Sequence, residues 1–343
     1  MAAPLVVTAT GMVTGVGLTA PATCAAIRSA IDNFQRTRFM DQSGEWLMGS
    51  QVPLAKPWRG ETKLVKMAAQ AIRECVDGHG DLVSTATPLL LCLPEAERIG
   101  RSVTDDDEPL RQVQEDLGQR FHERSQAIAR GHVSLAVAVQ KARRLLTEPG
   151  VRHVIVAATD SLLAATTLAD YEEKQRLLTT TNSDGFIPGE AAAAVVLELM
   201  QDPSEPRLVC QGLGFGVEKA HIDSEEPLRA DGLTEAIKAA LGDAGCDESV
   251  LQFKIIDVSG TQYHFKEASL AFSRLDRTKR TEFDVWHPAD CVGEVGAAIG
   301  PIMIGVLKAA FEKGYAKGSR VLMHMGNDDG KRAALVFAWQ AGH

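Results

Sequence analysis

A cluster of turn-forming residues leads directly into a long apolar segment in the middle of the chain. Gly185, Pro188 and Gly189 fall within five positions, and every residue from Ala191 to Leu197 is apolar. Glycine and proline favour sharp turns, and a continuous apolar run is typical of a strand that is buried on both faces. The pattern therefore predicts a sharp turn that enters a buried strand of an α/β core.

The rest of the chain alternates short β-branched runs with alanine-rich stretches of helical spacing, as α/β domains do. We predict two similar α/β halves, residues 1–200 and 207–343, because both halves close on an apolar strand of similar composition. The link Gln201–Pro206 is too short for a flexible tether, so the halves should pack as one body. The predicted strands are Leu5–Ala9, Pro88–Leu93, Val151–Ala157, Ala191–Leu199, Arg207–Val217, Phe253–Val258, Arg320–Met325 and Arg332–Trp339, and the predicted helices are Ala20–Ile31, Thr62–Asp77, Val133–Leu146, Leu233–Ala244 and Gly296–Phe311.

An acidic stretch, Glu95–Arg124, fits neither half. Its residues from Asp105 to Glu108 are placed to open a helix that runs into Leu117. We expect an insertion over the surface of the first half, at about residues 95–124. It is either a solvated helix on a long loop, or a cover or partner-binding element.

Composition excludes several classes of function. The 343 residues carry a net charge of −9, which argues against nucleic acid or an anionic membrane as a partner. A small basic cluster, Arg274, Arg277, Lys279 and Arg280, is interpreted as a solvated surface. We expect a cytoplasmic protein with no membrane span, because no signal-peptide pattern or apolar run of spanning length is found. The six scattered cysteines form no CxxC pair, which fits reduced thiols and gives no support for zinc ligation.

Several short motifs occur in an order that resembles the β-ketoacyl-acyl-carrier-protein synthases along nearly the whole chain. The segments that carry the resemblance begin at Val6, Val154, Asp184, Ser259, Gly296 and Arg332. The resemblance implies a thiolase fold, in which two pseudo-repeated halves form a five-layered α-β-α-β-α body. It also implies a homodimer.

The residues that should perform the chemistry of that family are missing. The family's cysteine nucleophile at a helix start falls on His132, and no cysteine lies between Cys92 and Cys210. Its two histidines, which stabilise charge on the thioester carbonyls, fall on Ser259 and Gly293. The loop that gates the acyl site becomes Gly326-Asn327-Asp328-Asp329-Gly330. No catalytic residue is therefore expected, and His132, Ser259 and Gly293 are vestigial positions.

Two alternative interpretations would leave the protein with catalytic activity. His132 with Ser259 or Ser134 would suggest hydrolysis, and Cys291, close to the lost second histidine, would be an unconventional nucleophile. Ser134, Glu294, Asp328 and Asp329 are predicted to line the pocket. A metal held by these carboxylates with Asp184 or Glu190 has no supporting ligand spacing, so neither a metal nor a cofactor is predicted.

The modified loops resemble those of thiolase-like proteins encoded beside type VI secretion effectors in Gram-negative bacteria. The predicted function is therefore that of a catalytically silent binding or adaptor protein whose partner is a protein, such as an effector or its adaptor. An acyl carrier protein or acyl-CoA is a less favoured partner than such a protein. The acidic segment with Glu294, Asp328 and Asp329 should attract a basic surface. The alternatives are an acyltransferase or thioester hydrolase with a non-standard nucleophile, and a silent partner of an active synthase like a chain length factor.

Overall fold

The computed structural model describes residues 3–80, 82–201, 205–275 and 282–340. Three members of the basic cluster, Arg277, Lys279 and Arg280, lie outside these ranges, as does the centre of the predicted link, residues 202–204.

The chain alternates strands and helices from end to end. The strands are β1 (Leu5–Val13), β2 (Phe34–Met40), β3 (Trp46–Ser50), β4 (Leu89–Leu93), β5 (Gln126–Ala129), β6 (Val154–Ser161), β7 (Glu190–Leu199), β8 (Arg207–Val217), β9 (Phe253–Ile256), β10 (Asp284–Trp286), β11 (Arg320–Gly326) and β12 (Lys331–Gln340). The helices are α1 (Ala20–Arg28), α2 (Gly60–Asp77), α3 (Asp107–Leu117), α4 (Ser134–Leu145), α5 (Ala165–Glu173), α6 (Asp231–Ala244), α7 (Gln262–Leu275), α8 (Ala289–Val292) and α9 (Ile299–Glu312).

Ten of these strands form one sheet in the order β10-β9-β11-β12-β8-β1-β7-β6-β4-β5. From the middle of the sheet outward, the first set runs β1-β7-β6-β4-β5 and the second set runs β8-β12-β11-β9-β10. Each set therefore places its strands in the same order relative to the chain, so the two sets share one topology. The sets meet where Leu5–Val7 of β1 pairs antiparallel with Leu208–Cys210 of β8.

Helices cover both faces of the sheet. The residues of α9 are buried on nearly every side, and the helix packs with α4 among strands of both sets. Helix α2 covers the outer face of the first set and α6 that of the second. A helix that is apolar all round belongs in an interior, whereas the amphipathic α2 belongs on an outer face. This alternation of helical and strand layers is the predicted mixed α/β architecture.

Local signals place the helix starts. Helix α1 begins after Thr19, whose hydroxyl accepts a hydrogen bond from the Ala22 amide at 3.4 Å. In the acidic stretch, Asp105 accepts a hydrogen bond from the Asp107 amide, and α3 begins at Asp107 as its charges suggest. Helix α3 packs its buried face, including Leu110 and Val113, against the cluster around α2. The stretch therefore lies on the outer layer of the first strand set.

Candidate functional site

The candidate site lies where the carboxyl ends of the parallel strands of the two sets meet. His132 follows β5 and stands in a single 3₁₀ turn before α4. Asp257 follows β9, and Asn327 follows β11. Ligand sites of α/β proteins usually form at the carboxyl ends of parallel strands, where the connecting loops converge.

His132 is bound on both sides by carboxylates. Its Nδ1 lies 2.7 Å from Oδ2 of Asp257, and its Nε2 lies 2.9 Å from Oε1 of Glu294. The other oxygen of Glu294 accepts a hydrogen bond from the hydroxyl of Ser259 at 2.6 Å. We call Asp257, His132 and Glu294 the buried triad. In a hydrolytic triad the imidazole contacts the serine directly, whereas here Glu294 stands between Ser259 and the imidazole.

The charges in the buried triad support one another. Burial disfavours the imidazolium, but the charge of Glu294 and the hydrogen bonds to both carboxylates outweigh burial and raise the pKa of His132 well above its ordinary value. Burial likewise opposes ionisation of Asp257 and Glu294, yet the contacts with His132 lower the pKa of both carboxyl groups. At neutral pH the triad is an imidazolium between two carboxylates. A protonated histidine cannot act as a general base.

The turn that leads into β7 holds Glu294 in place. The Gly189 amide donates to the Glu294 carbonyl at 2.8 Å, and the Glu294 amide donates to the Ile187 carbonyl at 2.8 Å. A Cβ on Gly189 would lie 2.7 Å from the Val292 carbonyl oxygen, so a larger residue would separate the two segments. The Gly326 amide fixes Asp257 by donating to Oδ2 at 2.9 Å.

A second buried ion pair supports the same region. Arg98 donates two hydrogen bonds, of 2.5 and 3.0 Å, to the two oxygens of Asp160 on β6. Asp160 also accepts the Ala297 amide at 2.9 Å, next to the start of α9. Gly296 has φ of +53°, and a Cβ there would lie 2.0 Å from Oδ2 of Asp160. Only glycine fits between the backbone and this carboxylate.

The cavity beside the buried triad is small and polar. Its volume is about 40 Å³, and Glu95, Tyr171, Arg176, His264 and Asp328 are among its lining residues. Each enclosed water requires roughly 10–15 Å³ of such volume, and pockets for drug-sized ligands have roughly 300–1,000 Å³. The cavity therefore has room for a few waters and not for an acyl chain in this conformation.

The predicted pocket-lining residues divide into two groups. Glu294 and Asp328 line the cavity. Ser134 does not, because its hydroxyl donates to the Ile128 carbonyl and accepts the Arg130 amide, both at 2.9 Å, at the start of α4. Asp329 does not either, because its carboxylate bonds to Lys331.

The remaining predicted positions are kept from the cavity by their backbone or burial. Gly293 has φ of +76°, and a Cβ there would point toward Ile187 and Ser50, so its neighbour Glu294 supplies the side chain at the triad. Cys291 is buried at the end of α8, and burial raises the pKa of its thiol to about 11. Thiolate is the nucleophilic form of cysteine, so this environment disfavours nucleophilic attack by Cys291.

Part of the expected electronegative mouth is neutralised by ion pairs. Asp328 lies 3.4 Å from Nη1 of Arg176, and in the acidic stretch Asp106 pairs with Arg101 at 2.7 Å. Asp184 and Glu190 do not join Glu294. Asp184 accepts the Gln262 amide at the start of α7, and Glu190 pairs with Lys63.

An open groove of about 640 Å³ lies elsewhere, between the β2–β3 hairpin and the start of α2. Two tryptophans and five cationic side chains line it, namely Trp46, Trp58, Arg36, Arg38, Lys56, Arg59 and Lys63. We call this surface the basic groove. Its charge is opposite to that of the chain as a whole, and the sequence analysis did not identify it.

Sequence reasoning also missed Asp257 and Arg98. Asp257 was included in a predicted strand, although a carboxylate directly after the apolar run Ile255-Ile256 is a signal of a strand end that faces a site. Arg98 follows a buried strand by five positions and carries no local signal. Asp160 belongs to the family-like segment that begins at Val154, but its role as the partner of Arg98 depends on a loop from another part of the chain.

Comparison with known proteins identifies the fold. No family model matches the chain, and no curated protein matches its sequence. Solved structures do match. One match is the structure of a type II polyketide acyl-carrier protein in complex with its ketosynthase, bound to the hexaketide. Its TM-score is 0.80 at 14% identity, and the match covers 98% of this chain and 100% of that chain.

Two further structures give the same result. A ketosynthase in complex with its chain length factor from Xenorhabdus doucetiae gives a TM-score of 0.74 at 13% identity, covering 98% of both chains. A β-ketoacyl synthase from Burkholderia phymatum gives a TM-score of 0.76 at 14% identity, covering 99% of this chain and 100% of that chain. At these identities the likeness concerns architecture alone. The chain therefore has the thiolase-like fold of the ketosynthases.

Proposed function

We propose that this protein is a catalytically silent ketosynthase-fold protein that works by binding another protein. The observation that carries the proposal is the buried triad. Where the resemblance places a thiol nucleophile, His132 is held by Asp257 and Glu294. Condensation needs a nucleophile and groups that stabilise negative charge on the carbonyl. Carboxylates at these positions would instead oppose the developing charge.

The basic groove supports the binding role. It is far larger than the cavity at the triad, with about 640 Å³ against 40 Å³. Arginine and tryptophan are enriched at the energetic centres of protein interfaces. The groove fits a partner with an acidic surface. A role in type VI secretion, with an effector or its adaptor as the partner, is part of the proposal and rests on the resemblance of the modified loops.

A silent partner of an active synthase is the second candidate. Two of the similar structures are of ketosynthases described together with a chain length factor. Strand β5, directly before His132, is at one edge of the sheet and pairs on one side with β4. An edge strand offers unpaired backbone groups to a second chain. The same edge would serve the proposed homodimer, and size determination with and without a co-expressed synthase separates the two assemblies.

The alternative with a non-standard nucleophile has less support from the geometry. Ser259 donates to Glu294 rather than to an imidazole, and the thiol of Cys291 is held in its neutral form. An acyl carrier protein or acyl-CoA remains a weaker candidate for a ligand because the cavity beside the triad is small.

Restoring the nucleophile tests the proposal. We expect neither the natural protein nor the His132→Cys variant to form a β-ketoacyl product from malonyl and acyl thioesters above background. The thiol would lie between Asp257 and Glu294, which disfavour the thiolate and the carbonyl oxyanion. Product is measured by mass spectrometry, with an active synthase as the positive control. If the natural protein forms product, and still does so after Cys291→Ser, it is not catalytically silent. Product formed by His132→Cys would show that the electrostatic part of the site is intact.

A further inference from the structure

Two histidines and a glutamate converge at the edge of the fold opposite the buried triad. His79 follows α2, His153 immediately precedes β6, and Glu198 lies near the end of β7. Because Val154 is paired with Leu197, the antiparallel register places His153 across from Glu198. The three residues thus come from three separate segments of the first strand set.

The imidazoles face the same carboxylate oxygen. Nε2 of His79 lies 2.9 Å from Oε1 of Glu198, and Nε2 of His153 lies 3.7 Å from that oxygen. The three potential ligand atoms lie within 4.8 Å of one another. The two rings meet edge to face, with 4.8 Å between their centroids. Two imidazoles and one carboxylate are thus gathered around a single oxygen atom.

We propose that His79, His153 and Glu198 bind a divalent transition-metal ion of the Zn²⁺ type. In a tetrahedral site, ligands at about 2.0–2.1 Å from zinc lie roughly 3.3 Å from each other. The two nitrogen–oxygen separations, 2.9 and 3.7 Å, lie on either side of this value. All three ligand atoms lie within 4.8 Å of one another, so side-chain rotation must draw them together around the ion. Two imidazoles and one carboxylate are ligands that zinc takes together, and a water completes the set.

The surroundings of the three residues fit an ion. His79 and Glu198 line a surface cavity of about 390 Å³, which gives an ion and its water a route from solvent. The hydroxyl of Thr8 lies 3.2 Å from Nε2 of His79. The pairing of β1 with β7 is irregular between Val7 and Ala9, so Thr8 stands at a β-bulge. Bulges often redirect side chains beside functional sites. The Thr8 hydroxyl contacts the nitrogen that would ligate the ion, so this contact is given up when the ion binds.

Zinc titration of the metal-free protein tests the proposal. We expect calorimetry to show one Zn²⁺ bound per chain, with affinity reduced by at least about tenfold in His79→Ala, His153→Ala and Glu198→Gln. His287→Ala is the matched control, because Nδ1 of His287 pairs with Asp290 at 2.8 Å as a single histidine–carboxylate pair. The control should bind zinc like the natural protein. Ca²⁺, which prefers oxygen ligands, should not compete.

Two further readouts keep the test decisive if a variant folds poorly. Co²⁺ added to the natural protein should give the visible absorption of a tetrahedral complex, and Zn²⁺ should displace it. Zn²⁺ should also raise the unfolding temperature of the natural protein but not that of Glu198→Gln, whose side chain has nearly the same shape. The proposal is overturned if the natural protein binds no Zn²⁺, or if Glu198→Gln binds it as tightly as the natural protein does.

Discussion

Replacing His132 with leucine lowers the free energy of unfolding by about 3–5 kcal/mol near pH 6, because it leaves two buried carboxylates without their cation. Asp257 and Glu294 are both nearly inaccessible, and each makes its ion pair with His132. Urea denaturation measures the loss. His122→Leu is the control, since the ring of His122 accepts the Arg124 amide at 3.2 Å and is partly exposed, and its expected effect is within about 0.5 kcal/mol.

The pH dependence identifies charge as the cause. The raised pKa of His132 contributes stability that is complete below the unfolded value of about 6.5 and is lost as pH rises through the folded value. The lowered pKa values of Asp257 and Glu294 contribute stability above about pH 4 that is lost as pH falls through the folded values. The deficit of His132→Leu should therefore be largest between these limits and smaller in alkali. A deficit that does not change with pH would indicate lost packing instead.

A loss of similar size, about 3–5 kcal/mol, is expected for Arg98→Leu. Asp160 is fully buried, and the guanidinium of Arg98 supplies its cation. The amides of Ser161 and Ala297 would still donate to Asp160 but would not neutralise its charge. Urea denaturation again provides the measurement.

Arg101→Leu is the matched control for Arg98→Leu, because Arg101 pairs with Asp106, whose side chain is 39% exposed. Partly exposed pairs contribute about 0–1 kcal/mol. The double variant Arg98→Leu with Asp160→Asn should be more stable than Arg98→Leu alone, since the unpaired charge is removed with its partner. Equal losses for Arg98→Leu and Arg101→Leu would show that the burial of the Asp160 pair has no energetic importance.

The sequence predicted the interior of this fold better than its edges. The apolar run predicted as a strand over Ala191–Leu199 is β7, Glu190–Leu199, because burial on both faces leaves a continuous signal. Strand β5 and the β2–β3 hairpin were not predicted. Strand β5 has four residues, and β2 carries Gln35, Arg36 and Arg38 on exposed positions. Short or solvated strands lack the hydrophobic pattern on which such predictions depend.

The candidate site was predictable only in part. The resemblance brought His132, Ser259 and the segment around Gly293 to one place, and the structure puts His132, Ser259 and Glu294 there together. The role of Glu294 rather than Gly293 depends on the positive φ of Gly293, which a sequence does not display. The contact with Asp257 spans 125 positions. Long-range charge pairing of this kind follows from the fold and not from local spacing.

The distinction between an enzyme and a binding protein depends on whether the chain becomes acylated. The natural protein is incubated with malonyl and fatty acyl thioesters of acyl carrier protein and of coenzyme A, and its intact mass is measured by mass spectrometry. A ketosynthase with its cysteine, treated in parallel, should gain the mass of the acyl group. We expect the mass of this protein to stay unchanged, because the buried triad stands where the resemblance places the nucleophile. A stable acyl adduct on Ser259, Cys291 or another residue of the site would contradict it.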